Sequence, residues 1–312
     1  MESYQIRREL YNAGSLYQGY DPANPASYAD CYDGRIYADF IAEGKRSHDL
    51  GVTLPSTLHD HSISAALYQF LEGWSPADVV GVMGGHAMQR SDESFRKVAL
   101  VSKHLTEKGK LMVSGGGPGA MEATHLGAWM AGRPDSELDE AFGILSVAET
   151  FREPLWLSSA FAVMRRFPQE RYRSLGIPTW LYGHEPSTPF ATHIAKYFDN
   201  SIREDNILSI AVGGIIFSPG SAGTLQEIFQ EAAQDHYKTC EVSSPIVFFG
   251  KKFFCEEVPV YPFMQSLMDS GHYKDLLLSI YDEPDDIVRE ILSFHPEMPE
   301  HEIKTKVRKS IL

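Results

Sequence analysis

From Asp78 onward, short apolar runs alternate with amphipathic stretches, and the two periods predict different elements. The runs DVVGVM (78–83), KLMVS (110–114), FGILSV (142–147), TWLY (179–182), GIIF (214–217) and PIVFF (245–249) predict strands. The intervening stretches 91–108, 120–131, 192–211 and 224–234, and the later 284–293, predict helices, because their apolar residues recur every three or four positions. Strands that are apolar throughout and separated by helices predict a parallel sheet covered on both faces, hence a doubly wound α/β fold. Before Asp78 the pattern differs. That segment is rich in Tyr, Asp, Ser and Gly, with turn clusters such as DPANPASYAD, and its one good apolar period is Ile63, Leu67, Phe70 and Leu71. The expected organisation is an extension over 1–77 packed on the main domain, a nucleotide-binding type of domain over 78–295, and a tail over 296–312.

Composition narrows the partners. The 312 residues carry a formal charge of −14, which argues against a phosphate-backbone partner, since nucleic-acid binding needs a cationic footprint. The basic run KTKVRK (304–309) reads as a short solvated tail. No apolar window approaches the roughly 20 residues needed to span a bilayer, and 1–10 lacks the apolar core of a signal peptide, so no membrane partner and a cytoplasmic location are expected. Cys31, Cys240 and Cys255 form no C-x-x-C pair and read as reduced thiols. His59 and His61 in HDH read as a polar loop rather than a metal site.

In an open parallel sheet, ligands bind beyond the carboxyl ends of the strands. Three loops therefore matter. MGGHAMQR (83–90) follows the first strand; Gly84 and Gly85 allow a close backbone approach, and His86 projects from the strand end. SGGGPGAMEA (114–123) follows the second, and its glycine-rich turn into a helix suits phosphate. It also matches G-x-G-x-x-A through Gly115, Gly117 and Ala120, which raises a dinucleotide oxidoreductase; the turn follows the second strand, however, and lacks the strand-end acid about 20 residues on.

The third loop is FSPGSAGTLQE (217–227). Leu225, Ile228, Phe229 and Ala232 make the buried stripe of the helix that follows, leaving Thr224, Glu227, Glu231 and Gln234 on another face. Gly220, Ala222 and Gly223 offer amides to an anion, and the Thr224 hydroxyl can cap the helix or bond a phosphate oxygen. Glu227 stands one turn further in, roughly 4.5 Å along the axis, where it can reach a sugar joined to that phosphate. In THIAKYFDNSIRED (192–205), Lys196, Asn200 and Arg203 form a polar stripe on the helix just before this loop.

GGGPGAMEA followed about 100 residues later by PGSAGTLQE resembles the Lonely Guy family of Rossmann-type proteins, formerly labelled lysine decarboxylases, with their P-G-G-x-G-T-x-x-E signature. The pairing of GGH (84–86) with GPGAMEA (117–123) is closer still to the bacterial nucleotide 5'-monophosphate nucleosidases of that family. The similarity covers 78–293. It implies a Rossmann-like enzyme that hydrolyses the N-glycosidic bond of a nucleoside monophosphate, with no metal and no other cofactor, assembled as a homodimer or larger homo-oligomer. Carried over, the catalytic glutamate is Glu227 and the phosphate turn is Gly220 to Thr224, with Ser221 replacing the second glycine; Ser221 preserves phosphate binding if its φ is negative. The catalytic arginine of the preceding helix matches Arg203, although an ungapped count from Pro219 lands on Glu204; Arg165 and Arg166 are reserves. Substrate contacts fall on Gly84, Gly85, His86, Gly115, Gly116, Gly117, Gly119 and Glu122. The alternative is a non-catalytic nucleotide sensor or carrier of the same fold.

Overall fold

The computed structural model describes residues 6–45, 47–239 and 242–296. Cys240 and the basic tail run lie outside them. In chain order the elements are α1 (Ala13–Leu16), α2 (Tyr32–Ala42), α3 (Leu50–Leu71), β1 (Val79–Met83), α4 (Glu93–Glu107), β2 (Leu111–Ser114), α5 (Ala120–Trp129), α6 (Asp135–Leu145) and α7 (Trp156–Arg166). There follow β3 (Ser174–Gly176), β4 (His193–Ile194), α8 (Asn200–Ile210), β5 (Ile215–Phe217), α9 (Ala222–Tyr237), β6 (Pro245–Phe249), α10 (Val260–Asp269), β7 (Leu277–Tyr281) and α11 (Pro284–Ser293). Seven parallel strands form one sheet in the order β4-β3-β2-β1-β5-β6-β7. Every residue of β1, β2, β5 and β6 is buried, which is what helices on both faces require of a strand. The chain moves outward from β1 to β4 and then returns to the other side of β1 with β5, so the order reverses between β1 and β5. A crevice at that point is where this architecture places ligands.

Four of the predicted strands, and the helices after β1, β2, β5 and β7, are present. The others are corrected. The run 142–147 is not a strand: residues 142–145 are the end of α6, whose Leu138, Ala141 and Leu145 bury one helical stripe. TWLY is no strand either, because 180–182 is a single tight helical turn, with the Trp180 indole N–H donated to Asp33 at 2.8 Å. The predicted helix 192–211 divides. His193–Ile194 is the edge strand β4, and α8 starts at Asn200, where the Asp199 side chain accepts the Ser201 amide. Lys196 therefore shares no helix face with Arg203; it is buried and paired with Asp33 at 2.6 Å.

The N-terminal segment belongs to the same hydrophobic core as the sheet: Tyr11, Leu16, Ile36, Phe40, Ile63 and Leu67 pack with Leu111, Leu175 and Ile215. Tyr11 exchanges both backbone hydrogen bonds with Ile194 and so covers the open edge of β4. HDH is not a loop. It lies in α3, with His59 and Asp60 buried and His61 exposed. Asp60 accepts the Phe198 and Asp199 amides at 3.0 and 2.8 Å, which satisfies donors at the start of α8. Further along, Ser64 meets the Tyr197 hydroxyl and Tyr68 donates to Asn206 of α8. Helix α3 thus fixes where α8 sits. Among the described residues no helix is long and apolar enough to cross a membrane.

Candidate functional site

The loops after β1, β2 and β5 converge at the crevice. The Ser218 amide donates to Met83, that of Gly85 to Pro219, and that of Ala120 to Gly85, so each loop is pinned to another by backbone. Close approach explains the glycines here. A side chain on Gly84 would strike Ser218 and Ala120, and Gly119, at φ 69°, has the Gly85 and His86 carbonyls where its Cβ would stand.

The turn after β5 is open to a ligand. Residues 221–223 are exposed, and α9 begins at Ala222, two residues before the predicted Thr224, with Ser221 as its N-cap but without a side-chain cap bond. Its first N–H groups therefore face outward at the positive end of the helix dipole. Ser221 has φ −110°, which meets the condition for a serine at the second glycine position. Thr224 is buried inside the first turn with its hydroxyl against Gly220. A cavity of about 390 Å³ adjoins this turn, lined by Gly85, His86, Met88, Asp92, Gly220 and Ser221. His86 is 42% exposed, 3.8 Å from the Glu185 carboxylate and edge-on to Phe151.

The turn after β2 is different. Residues 114–120 are all buried, Gly116 has Pro178 and Gly176 against it, and the Gly116 amide donates to the Ser114 hydroxyl. Gly115 and Gly117 lie under the Met121 side chain, and Gly119 against the Gly85 and His86 carbonyls, so this turn is closed where the turn after β5 is open. Glu122, one turn further along, is enclosed too. It is fully buried and binds Arg90 through both carboxylate oxygens, at 3.1 and 2.5 Å, while accepting the Trp156 indole N–H. Both of its carboxylate oxygens are thus engaged by side chains of the protein.

Arg203 and Glu227 are brought into each other's field. An Arg203 Nη1 lies 3.0 Å from where a Gly115 side chain would begin, so the guanidinium rests over the turn after β2. It is held by Asn200 at 2.9 Å and by Glu204 at 3.0 Å. Glu204, which the motif reading met only as an ungapped count, also accepts from Asn200 at 2.6 Å and from Gln226 at 3.2 Å, tying α8 to α9. Burial pushes the Glu227 carboxyl up to about 7, the Arg203 charge pulls it down, and Glu204 pushes it up again. Such a carboxyl changes protonation state at neutral pH, as a group that takes or gives a proton requires. Arg165 and Arg166 are exposed at the end of α7, Arg166 in an ion pair with Glu140. Asp60 was invisible to motif reading because its partners at the start of α8 lie 138 and 139 residues away. Among the described residues no group of three or more metal-binding side chains occurs.

No family model matches the chain, and no curated protein does. Solved structures do match, among them the molybdenum cofactor carrier protein from Chlamydomonas reinhardtii, at 15% identity and a TM-score of 0.42, covering 69% of this chain and 99% of that one.

Proposed function

We propose that the protein hydrolyses the N-glycosidic bond of nucleoside 5'-monophosphates, releasing free base and ribose 5-phosphate. The observation that carries this reading is the placement of Glu227 one turn behind an uncapped, exposed helix N-terminus, with Arg203 acting on its charge. The phosphate takes the outward amides of 221–223, the ribose lies over Glu227, and the base extends toward His86 and Met88 in the adjoining cavity. As the base leaves, the ribose gains oxocarbenium character. The Glu227 carboxylate stabilises that charge and orients or deprotonates the attacking water, as carboxylates do in glycoside hydrolysis. Arg203 clamps the phosphate or the ribose hydroxyls and holds the nucleotide in line. Glu204 and Asn200 hold Arg203 in turn.

The test is direct: incubate the protein with AMP, GMP, CMP and UMP and separate the products by chromatography. Free base from at least one of them is the expected outcome. Thermal stabilisation by a nucleotide with no base released would make the protein a binder or carrier, and neither response would remove nucleotides altogether. The same reading expects a homodimer or larger assembly, which sedimentation velocity checks.

A further inference from the structure

We propose a second binding site, for a small planar aromatic anion, at the amino ends of β3 and β4, the opposite end of the parallel strands from the turn after β5 that leads to Glu227. A cavity of about 370 Å³ lies there, lined by Trp129, Met164, Tyr172, Arg173, Thr192 and His193. That is the size range of small-molecule pockets.

Its walls are held from behind. The Trp129 indole N–H donates to Phe167 at 2.8 Å, which fixes the ring. Gln169 bonds both backbone groups of Tyr172, at 2.9 and 3.2 Å, and the Tyr172 ring lies against Gly132 so closely that a side chain there would collide with it. Two half-buried aromatic rings and a methionine offer a flat ring an apolar seat.

The charge comes from RRFPQERYR (165–173), four arginines in nine residues of a chain whose net charge is −14. Arg166 is held by Glu140 and the nearby Arg133 by Glu137. Among the described residues Arg165, Arg171 and Arg173 form no ion pair, and Arg173 lines the cavity with only the exposed Glu170 as an acid beside it. An arginine fork without a carboxylate partner suits a carboxylate or phosphate substituent.

His193 supplies an acceptor. The Thr192 hydroxyl donates its one proton to the Ser174 carbonyl at 2.9 Å and accepts the Ser174 amide at 2.8 Å. Its contact with His193 Nδ1 at 3.0 Å therefore has the imidazole N–H donating, which leaves Nε2 as an acceptor. One ring face is covered by Phe70, 4.3 Å away between centroids. Burial, reinforced by Arg173, lowers the His193 pKa to about 4. An anion seated on Arg173 offsets that cation and raises the value.

The experiment follows the ring carbons of His193 and the indole N–H of Trp129 by NMR in the full chain, with a His193→Gln variant for assignment. Benzoate and phenyl phosphate are the probes; phenol and inorganic phosphate supply the ring and the charge alone. Expected are saturable shifts of both residues with benzoate or phenyl phosphate, a raised His193 titration midpoint, and binding about tenfold weaker in Arg173→Gln, an exposed position with no ion pair to lose. Shifts of equal size with inorganic phosphate, unchanged affinity in Arg173→Gln, or no response to either aromatic anion overturns the proposal. If phenyl phosphate instead perturbs only 220–224, the first site alone binds it and the second does not exist.

Discussion

The two glycine-rich turns, after β2 and after β5, look alike as sequence and do opposite things. In the first, every residue from 114 to 120 is buried: backbone crowds the space where a Cβ on Gly116 or Gly119 would stand, and the Met121 side chain lies over Gly115 and Gly117. In the second, 221–223 are exposed, the helix start carries no side-chain cap, and a Cβ on Gly223 meets nothing within 4 Å. Glycine richness therefore signals close approach in general. Whether the approaching partner is the protein or a ligand depends on what packs above the turn.

The largest expected effect lies at the open turn. Glu227→Gln keeps the shape of the side chain and removes its charge, so base release should fall by about 10²–10⁴-fold while nucleotide affinity stays within about threefold. In the wild type the rate should rise with pH through the range near 7 where Glu227 ionises, because the carboxylate is the active form. The variant should lose that limb. Wild-type turnover in Glu227→Gln, measured by chromatography, would leave the open turn without its chemistry.

Next in size is a paired test of the turns themselves. Gly119→Ala puts a Cβ onto the Gly85 and His86 carbonyls at φ 69°, ψ −130°, a conformation close to glycine-only, and should destabilise folding by at least about 1–3 kcal/mol. Gly223→Ala, inside the first turn of α9 and in open space, should stabilise by about 0.5–1 kcal/mol. Urea unfolding of both variants decides it. Equal effects would erase the distinction.

The sequence made some of this legible and hid the rest for physical reasons. Long apolar runs exposed β1, β2, β5 and β6. The stripe expected for α9 is corrected in part: Ile228 and Ala232 are buried, but so are Thr224 and Glu231, which the period sets on the other face with Glu227, while Leu225 and Phe229 are half-buried. Strands β3 and β4 are three and two residues long, too short to show a period. FGILSV has strand-like composition, yet residues 142–145 pack as a helix because Leu145 continues the stripe begun by Leu138 and Ala141. The difference between the two turns was not legible at all. It depends on Pro178, Gly176 and Met121 closing over one turn, with two of those residues some 60 positions away in the chain.

A smaller effect is expected where the N-terminal segment meets the site. Arg203 rests over the closed turn only if α8 keeps its place, and Asp60 holds the start of α8 through two amides while its own oxygen meets the His59 ring at 3.0 Å. Asp60→Asn leaves one oxygen for donors that now use two, and should cost about 1–3 kcal/mol of stability. Turnover should fall with it. If the loss passes through Arg203, the double variant Asp60→Asn/Arg203→Gln will turn over no more slowly than Arg203→Gln alone, whereas independent losses multiply.

A last effect is a stabilisation that appears only as pH rises, and it concerns the inner turns of the same helix that bears Glu227. Glu231 and Asp235 follow at four-residue steps, each only 3% exposed, and Glu231 Oε2 and Asp235 Oδ2 have no hydrogen-bond partner. Burial holds the Glu231 carboxyl well above the usual range, with Asp235 adding to it, and burial raises Asp235 to about 7 although the Ser244 amide pulls it down. Both folded-state values lie above the unfolded ones near 4. Below pH 4 the two states hold the same protons and the pair contributes nothing. As pH rises past 4 the unfolded chain ionises first, so stability is lost progressively up to the folded values and stays lost above them. Glu231→Gln removes one of the two acids and relieves the other. It should therefore leave stability at pH 4 nearly unchanged and raise it by about 1 kcal/mol at pH 8, roughly 1–2 °C in Tm for a chain of 312 residues. Thermal unfolding across that range tests this, and a variant that parallels the wild type at every pH would show that the buried acids carry no proton-linked cost. The exposed turn of α9 would then owe its chemistry to Glu227 alone, with no strain stored in the turns behind it.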